Sequence, residues 1–323
     1  MNTNKICIIG AGSFGTALAN CLALNHQNEL LLFSIEPDVV HDINVYHKNS
    51  KYLLHTQLSD RIGATADLQD TLKCDILMLA IPSRHVMDFV LENKRVIESA
   101  GLVVNLAKGF GRDSKNIAED LEENITVPVG CLKGPSFASE LINHSPTAFT
   151  FSSREPLYFE EIVQVCRGTN LHLDFTTDMA GVEILSIVKN VYAIILGIFD
   201  ATFNSANSRF MVFTRAVNEI RSILRRFGGD PETIFRYCGI GDLGLTSLYD
   251  LSRNRTMGLF IGKGFFTGSV TESIVLEGKQ ALMTLVSSVA PQGFNPEFPM
   301  LCNLRRLLAG RITPPEFVGE VLG

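Results

Sequence analysis

Residues 5–10 (KICIIG) form a short apolar run ending in glycine, the pattern of a strand buried on both faces of a parallel sheet. The Ala- and Leu-rich stretch 14–24 has a helical period instead. The alternation then recurs: strands are predicted at 29–34, 75–81, 102–106, 127–132, 148–151 and 171–175, with a helix around 85–97 behind Pro82. Strands alternating with helices predict an α/β domain built on a doubly wound parallel sheet. After residue 178 the texture changes. Helical periods run over 181–203, 208–227 (closed by Gly228 and Gly229), 252–261, 272–289 and 297–308, and Pro231 opens a further helix. No strand is predicted beyond 175, so the expected division is an α/β domain over 1–178 and an all-α domain over 179–323. No internal repeat or low-complexity segment interrupts it.

Composition narrows the function classes. The 323 residues are 46% hydrophobic and 19% charged, with a net charge of −6 and no basic stripe, which argues against a nucleic-acid partner. The seven cysteines include no CxxC pair, and neither His nor Cys has metal-ligand spacing, so reduced buried thiols and no metal are expected. The apolar stretch 191–198 is too short to span about 30 Å of hydrocarbon and is bracketed by Lys189 and Asp200. The apolar start lacks a charged leader and is interrupted by glycines. The expectation is a cytoplasmic protein without a membrane span.

Gly10-Ala11-Gly12-Ser13-Phe14-Gly15 matches G-x-G-x-x-G in its required context, after a strand and at the start of a helix. The first glycine permits the turn, the second lets backbone approach a pyrophosphate, and the third allows close helix–strand packing. The first domain is therefore expected to be Rossmann-like and to bind a dinucleotide through Gly10, Gly12 and Gly15. Glu36, just past the second strand, stands where an acidic residue holds ribose hydroxyls and repels a 2′-phosphate. With no Arg or Lys in 34–38, the reading favours NAD, with NADP possible.

Hydride transfer from a nicotinamide to a carbonyl needs a proton donor and a stabiliser of the developing charge. Lys189 sits in an apolar helical run, where burial makes a lysine a readier proton donor, with Asn190 beside it. Lys108 and the segment Gly134-Pro135-Ser136-Phe137-Ala138 follow predicted strands, at the ends where doubly wound sheets bind ligands. Asp242 and Thr246 are four apart and share a face if the segment is helical. Arg253-Asn254-Arg255 reads as a compact anion-binding cluster.

Taken together these motifs resemble the bacterial soluble type of NAD(P)-dependent glycerol-3-phosphate dehydrogenase. The likeness runs in order along nearly the whole chain: GAGSFGTALA at 10–19, Pro82-Ser83, Lys108-Gly109, GPSFASE at 134–140, Pro146-Thr147-Ala148, GVE through Lys189-Asn190, Asn207 with Thr214-Arg215, GDLGLT at 241–246, Ser252 to Arg255, and Leu276-Glu277-Gly278. The resemblance implies that Lys189 donates and accepts the proton, with Asn190 and Asp242 positioning the reacting centre. It implies that Lys108 meets substrate near the nicotinamide. Gly134, Ser136, Thr246, Arg253 and Asn254 would hold the glycerol phosphate, and Ser13, Phe14, Ile35, Ala138, Arg253, Val275 and Glu277 would line the coenzyme. The implied reaction interconverts dihydroxyacetone phosphate and sn-glycerol 3-phosphate for glycerophospholipid synthesis, in a homodimer. Departures from the family pattern are Phe14 in place of a usual tryptophan and Ile35 in place of a frequent arginine. A sister dehydrogenase acting on another phosphorylated or carboxylated ketone would not need the Arg253-Asn254 pair. A non-catalytic nicotinamide sensor would not need Lys108, Lys189 and Asp242 intact.

Overall fold

The computed structural model describes residues 3–265, 276–291 and 293–323, apart from the side chains of 114 and 276–280. The chain separates into two compact units, Met1–Met179 and Ala180–Gly323.

The first unit is an eight-stranded sheet flanked by helices. Its elements are β1 (Asn4–Ile9), α1 (Ser13–Leu22), β2 (Asn28–Phe33), α2 (Pro37–Tyr46), β3 (Ile62–Thr65), β4 (Ile76–Leu79), α3 (Ser83–Glu92), α4 (Lys94–Ile97), β5 (Leu102–Asn105), α5 (Ile117–Asn124), β6 (Val129–Lys133), α6 (Ala138–Leu141), β7 (Thr147–Ser153), α7 (Leu157–Cys166) and β8 (Leu171–Thr176). The strand order is β3-β2-β1-β4-β5-β6-β7-β8. Every residue of β4, β5 and β6 is buried, which is why ILML, LVV and VGCL read as apolar runs, with Asn105 and Lys133 closing the last two strands. Pairing is parallel throughout except between β6 and β7, where Leu132 faces Phe151 in an antiparallel register. The connection there explains the reversal. Helix α6 has only four residues, about 6 Å of rise, too little to carry the chain back along β6. So β7 starts near the end where β6 stops and runs the other way.

Among the described residues of the second unit every regular element is a helix. The unit contains α8 (Met179–Phe203), α9 (Ala206–Arg226), α10 (Asp242–Leu248), α11 (Arg253–Gly262), and helices at Leu276–Val289, Pro299–Leu308 and Pro314–Leu322. Helix α8 is long and apolar enough to cross a membrane by length and composition, but 94% of its most apolar window is buried inside the protein, as in a core helix. Glycine brings α11 against it backbone to backbone: a Cβ at Gly258 would lie 2.1 Å from the Ile194 carbonyl oxygen, and one at Gly197 2.3 Å from that of Arg255. All seven cysteines are buried free thiols.

A buried carboxylate ties three of these helices together. Glu219 of α9 accepts hydrogen bonds from the Tyr192 hydroxyl of α8 (2.8 Å) and from the backbone N–H groups of Met300 and Leu301 (both 3.0 Å) at the start of Pro299–Leu308. Burial outweighs these donors and pushes the Glu219 pKa up to about 7. An acid whose folded pKa lies above its unfolded value stabilises the fold fully at low pH and loses that contribution as pH rises through the folded value. The unfolding free energy of the wild type relative to Glu219→Gln is therefore expected to fall by about 2.5 kcal/mol between pH 5 and pH 8. Urea melts at both pH values check it, and a difference that does not change with pH would contradict it.

Candidate active site

In the first unit the glycine loop has the geometry an anion cradle needs. Gly10 has φ +112, a conformation that L side chains rarely adopt, and a Cβ there would fall 2.7 Å from the Ala80 carbonyl oxygen at the end of β4. A Cβ at Gly15 would lie 2.1 Å from the Gly10 oxygen, so the third glycine permits the helix to sit on the strand. Gly12 differs: a Cβ there meets nothing within 4 Å. Its lack of a side chain keeps space open at the N-terminus of α1, where backbone N–H groups and the helix dipole favour a phosphate. The loop lies at the β1/β4 junction, where the strand order reverses and doubly wound sheets bind dinucleotides. The residues present thus fit a dinucleotide pyrophosphate.

Around the loop, Ser13 donates its hydroxyl to the Tyr52 carbonyl (3.1 Å), and Phe14 packs edge-on against Phe149. Ile35 is 84% exposed past the end of β2. The Glu36 carboxylate accepts from Lys51 and from the Tyr52 hydroxyl, and these donors hold its pKa below the usual carboxylate range. A cation therefore does stand beside Glu36, supplied from fifteen residues along the chain, so the absence of Arg or Lys in 34–38 does not exclude a 2′-phosphate. Lys108 follows β5, and its neighbour Gly109 packs so closely on Ser83 that a Cβ would come 2.3 Å from the hydroxyl. Beneath that loop lies Lys133, fully buried, with its ammonium donating to the Ala107 carbonyl. Gly134 is a packing glycine, where a Cβ would meet the Ala148 oxygen at 2.3 Å, and Ser136 donates to the Gly134 carbonyl (3.2 Å). Ala138 opens α6 and packs against the core.

In the second unit, Lys189 on α8 and Asp242 at the first residue of α10 form a salt bridge of 2.5 Å, their side chains 6% and 1% exposed. Each is too buried to be charged at low cost alone; together they compensate. A π-helical turn, Tyr237–Gly241, delivers Asp242, a local irregularity of the kind found at functional sites. Thr246 lies one turn further on α10 and is buried, on the face Asp242 shares. Asn254, in the first turn of α11, donates its amide to Asn190 Oδ1 across the helix pair (3.0 Å).

The structure thus brings Lys189, Asn190, Asp242 and Asn254 into one constellation, with exposed Arg253 adjacent in chain and Thr246 adjacent on α10. It divides the expected arginine cluster. Arg253 is exposed, but Arg255 is turned inward onto Asp200 (2.8 Å) and is not part of an open anion site. Val275 lies outside the described residues, and so does the side chain of Glu277. Lys51, Tyr52 and Lys133 were not singled out in the sequence, and Asp200 only as a flank of an apolar stretch. Lys133 had a signal there, a lysine closing the buried strand VGCLK, and Asp200 another, an acid within an apolar helix.

Comparison with known proteins matches residues 5–158 to the N-terminal model of NAD-dependent glycerol-3-phosphate dehydrogenase and residues 178–319 to its C-terminal model. The chain belongs to this family. Among its relatives is the glycerol-3-phosphate dehydrogenase [NAD(P)+] of Xanthomonas campestris pv. campestris strain B100, 32% identical over 99% of this chain and 95% of that protein. The crystal structure of glycerol-3-phosphate dehydrogenase from Coxiella burnetii superposes with a TM-score of 0.88 at 29% identity, covering 99% of both chains. A ketopantoate reductase from Ralstonia eutropha JMP134 shares the fold alone, with a TM-score of 0.56 at 14% identity over 95% of this chain and 99% of that one. Within the glycerol-3-phosphate dehydrogenase family match, the glycine loop and Lys108 fall in the N-terminal model, and Lys189, Asp242, Thr246 and Arg253 in the C-terminal one.

Proposed function

We propose that the protein reduces dihydroxyacetone phosphate to sn-glycerol 3-phosphate with NAD(P)H, and runs the reverse oxidation. The buried Lys189–Asp242 pair beside the Asn190–Asn254 contact carries the reading. Bound nicotinamide supplies the hydride to the substrate's carbonyl carbon. As that bond forms, the carbonyl oxygen gains an electron pair, and the Lys189 ammonium gives it a proton. Asp242 balances the ammonium's charge before transfer and holds the side chain on line. Asn190, fixed by Asn254, offers a neutral amide to the same oxygen. Arg253, with Asn254 and Thr246, takes the phosphate, and Lys108, Gly134 and Ser136 of the first unit complete the substrate contacts the family resemblance implies. Gly10, Gly12, Ser13, Phe14, Gly15, Ile35, Glu36 and Ala138 form the coenzyme side. On this reading residues 1–178 hold the coenzyme, and 179–323 supply the proton donor and the phosphate site.

Glu36 favours NAD by accepting ribose hydroxyls, while Lys51 beside it tempers the repulsion of a 2′-phosphate, so NADH is preferred and NADPH accepted. We extend the proposal to a cytoplasmic homodimer whose product supplies glycerophospholipid backbones. Exposed Phe203, Phe210 and Met211 offer apolar surface on the second unit that a second copy would cover. The test is the initial rate of NADH oxidation with dihydroxyacetone phosphate, with NADPH and unphosphorylated dihydroxyacetone alongside. Fast oxidation requiring the phosphate is expected, with NADPH slower. No oxidation by protein that binds NADH would move the assignment to a sister dehydrogenase.

A further inference from the structure

Asp200 lies about three turns beyond Lys189 on α8, with its side chain only 4% exposed. Its two oxygens are both committed: Oδ1 accepts from Arg209 Nε (2.7 Å) and Oδ2 from an Arg255 amino group (2.8 Å). The other amino group of Arg255 pairs with Asp250, in the loop that joins α10 to α11. The Arg255 backbone N–H donates to Ser252, the N-cap of α11 (3.3 Å). One buried guanidinium thus fastens α8 to the loop, while the same residue's backbone holds the helix cap, and the residues just before it are Arg253 and Asn254. If Asp200 lost its charge, Arg255 would be left buried with its charge compensated only at the exposed Asp250. That situation is costly enough to drive the guanidinium towards water. Gly258 packs directly on α8, so α11 cannot absorb the change by sliding freely, and the first turn must move instead.

We propose that Asp200 is a positioning residue for the substrate's phosphate. Acting through Arg255, it sets where Arg253 and Asn254 stand, and it touches no reacting atom. The inference rests on the phosphate-binding role given to Arg253 and Asn254 above.

Asp200→Asn keeps the side chain's size and one accepting oxygen but removes the charge. It is expected to raise KM for dihydroxyacetone phosphate about 10- to 100-fold and to weaken sn-glycerol 3-phosphate binding, read by titration calorimetry, by a similar factor. In the same variant kcat stays within about threefold, and NADH affinity, read by fluorescence, is unchanged. Asp200 acting only as fold support would lower kcat through lost active protein at unchanged KM, and that result overturns the proposal. Arg255→Lys keeps a cation on Asp200 without the fork and carries the same test should the first variant fail to fold. Its KM is expected to rise about 5- to 10-fold, and an unmoved KM also overturns the proposal. A wild type that binds no phosphorylated triose overturns the functional reading and this inference together. A wild type that binds it, with variants of equal affinity, overturns this inference alone.

Discussion

Lys189→Ala is expected to lower turnover about a thousandfold or more while leaving NADH affinity within about twofold of wild type. The first half follows from chemistry. A developing alkoxide without a placed proton donor must wait for water, and the proposed donor Lys189 is the ammonium buried against Asp242. The second half follows from placement, because the glycine loop proposed to receive the pyrophosphate is built wholly within the first unit. A complication is stability. Removing one partner of a buried pair strands the other and costs about 3–5 kcal/mol. Lys189→Met combined with Asp242→Asn removes both charges and separates the two effects. The double variant is expected to melt near wild type and remain inactive. Steady-state rates, NADH fluorescence titration and thermal melts together decide the matter, and near-normal turnover in Lys189→Ala would remove the residue from the mechanism.

That lysine was legible in the sequence because an ammonium inside a long apolar run is costly unless it serves a purpose. The glycine loop was legible for another reason: strand, turn and helix are contiguous, so local pattern and tertiary role coincide. Other features were hidden because their cause is not local. Strand β3 is four residues, Ile-Gly-Ala-Thr, with almost no apolar signal, and exists because β2 offers it an edge. The Glu36–Lys51–Tyr52 contact joins residues on either side of α2, and no periodicity links them. The antiparallel β7 depended on the brevity of α6, which the strand pattern does not report. The arginine cluster is different, since the sequence held the answer. Arg253 and Arg255 are two apart on a helix, so their side chains point to nearly opposite sides, and only one can face a ligand.

Gly12→Val is expected to weaken NADH binding about a hundredfold or more while shifting the melting temperature by no more than a few degrees. The geometry separates binding from folding at this position. Gly12 has φ −74 and ψ −177, extended backbone that valine adopts, and a Cβ there would meet nothing within 4 Å. The folding cost is limited to a poorer N-cap, about 1 kcal/mol or less. The binding cost is large because the branched side chain stands where a pyrophosphate must approach backbone N–H groups within hydrogen-bond reach. Gly15→Ala makes the contrast. Its Cβ would lie 2.1 Å from the Gly10 oxygen, a backbone atom with no rotamer to turn, so it is expected to destabilise the unit by about 1–3 kcal/mol as well as to impair binding. Were Gly12→Val to bind NADH as tightly as wild type, the open space at Gly12 would not be the pyrophosphate site. Were it to unfold the first unit, Gly12 would be a packing glycine like Gly15, and the division of labour among the three glycines would be lost.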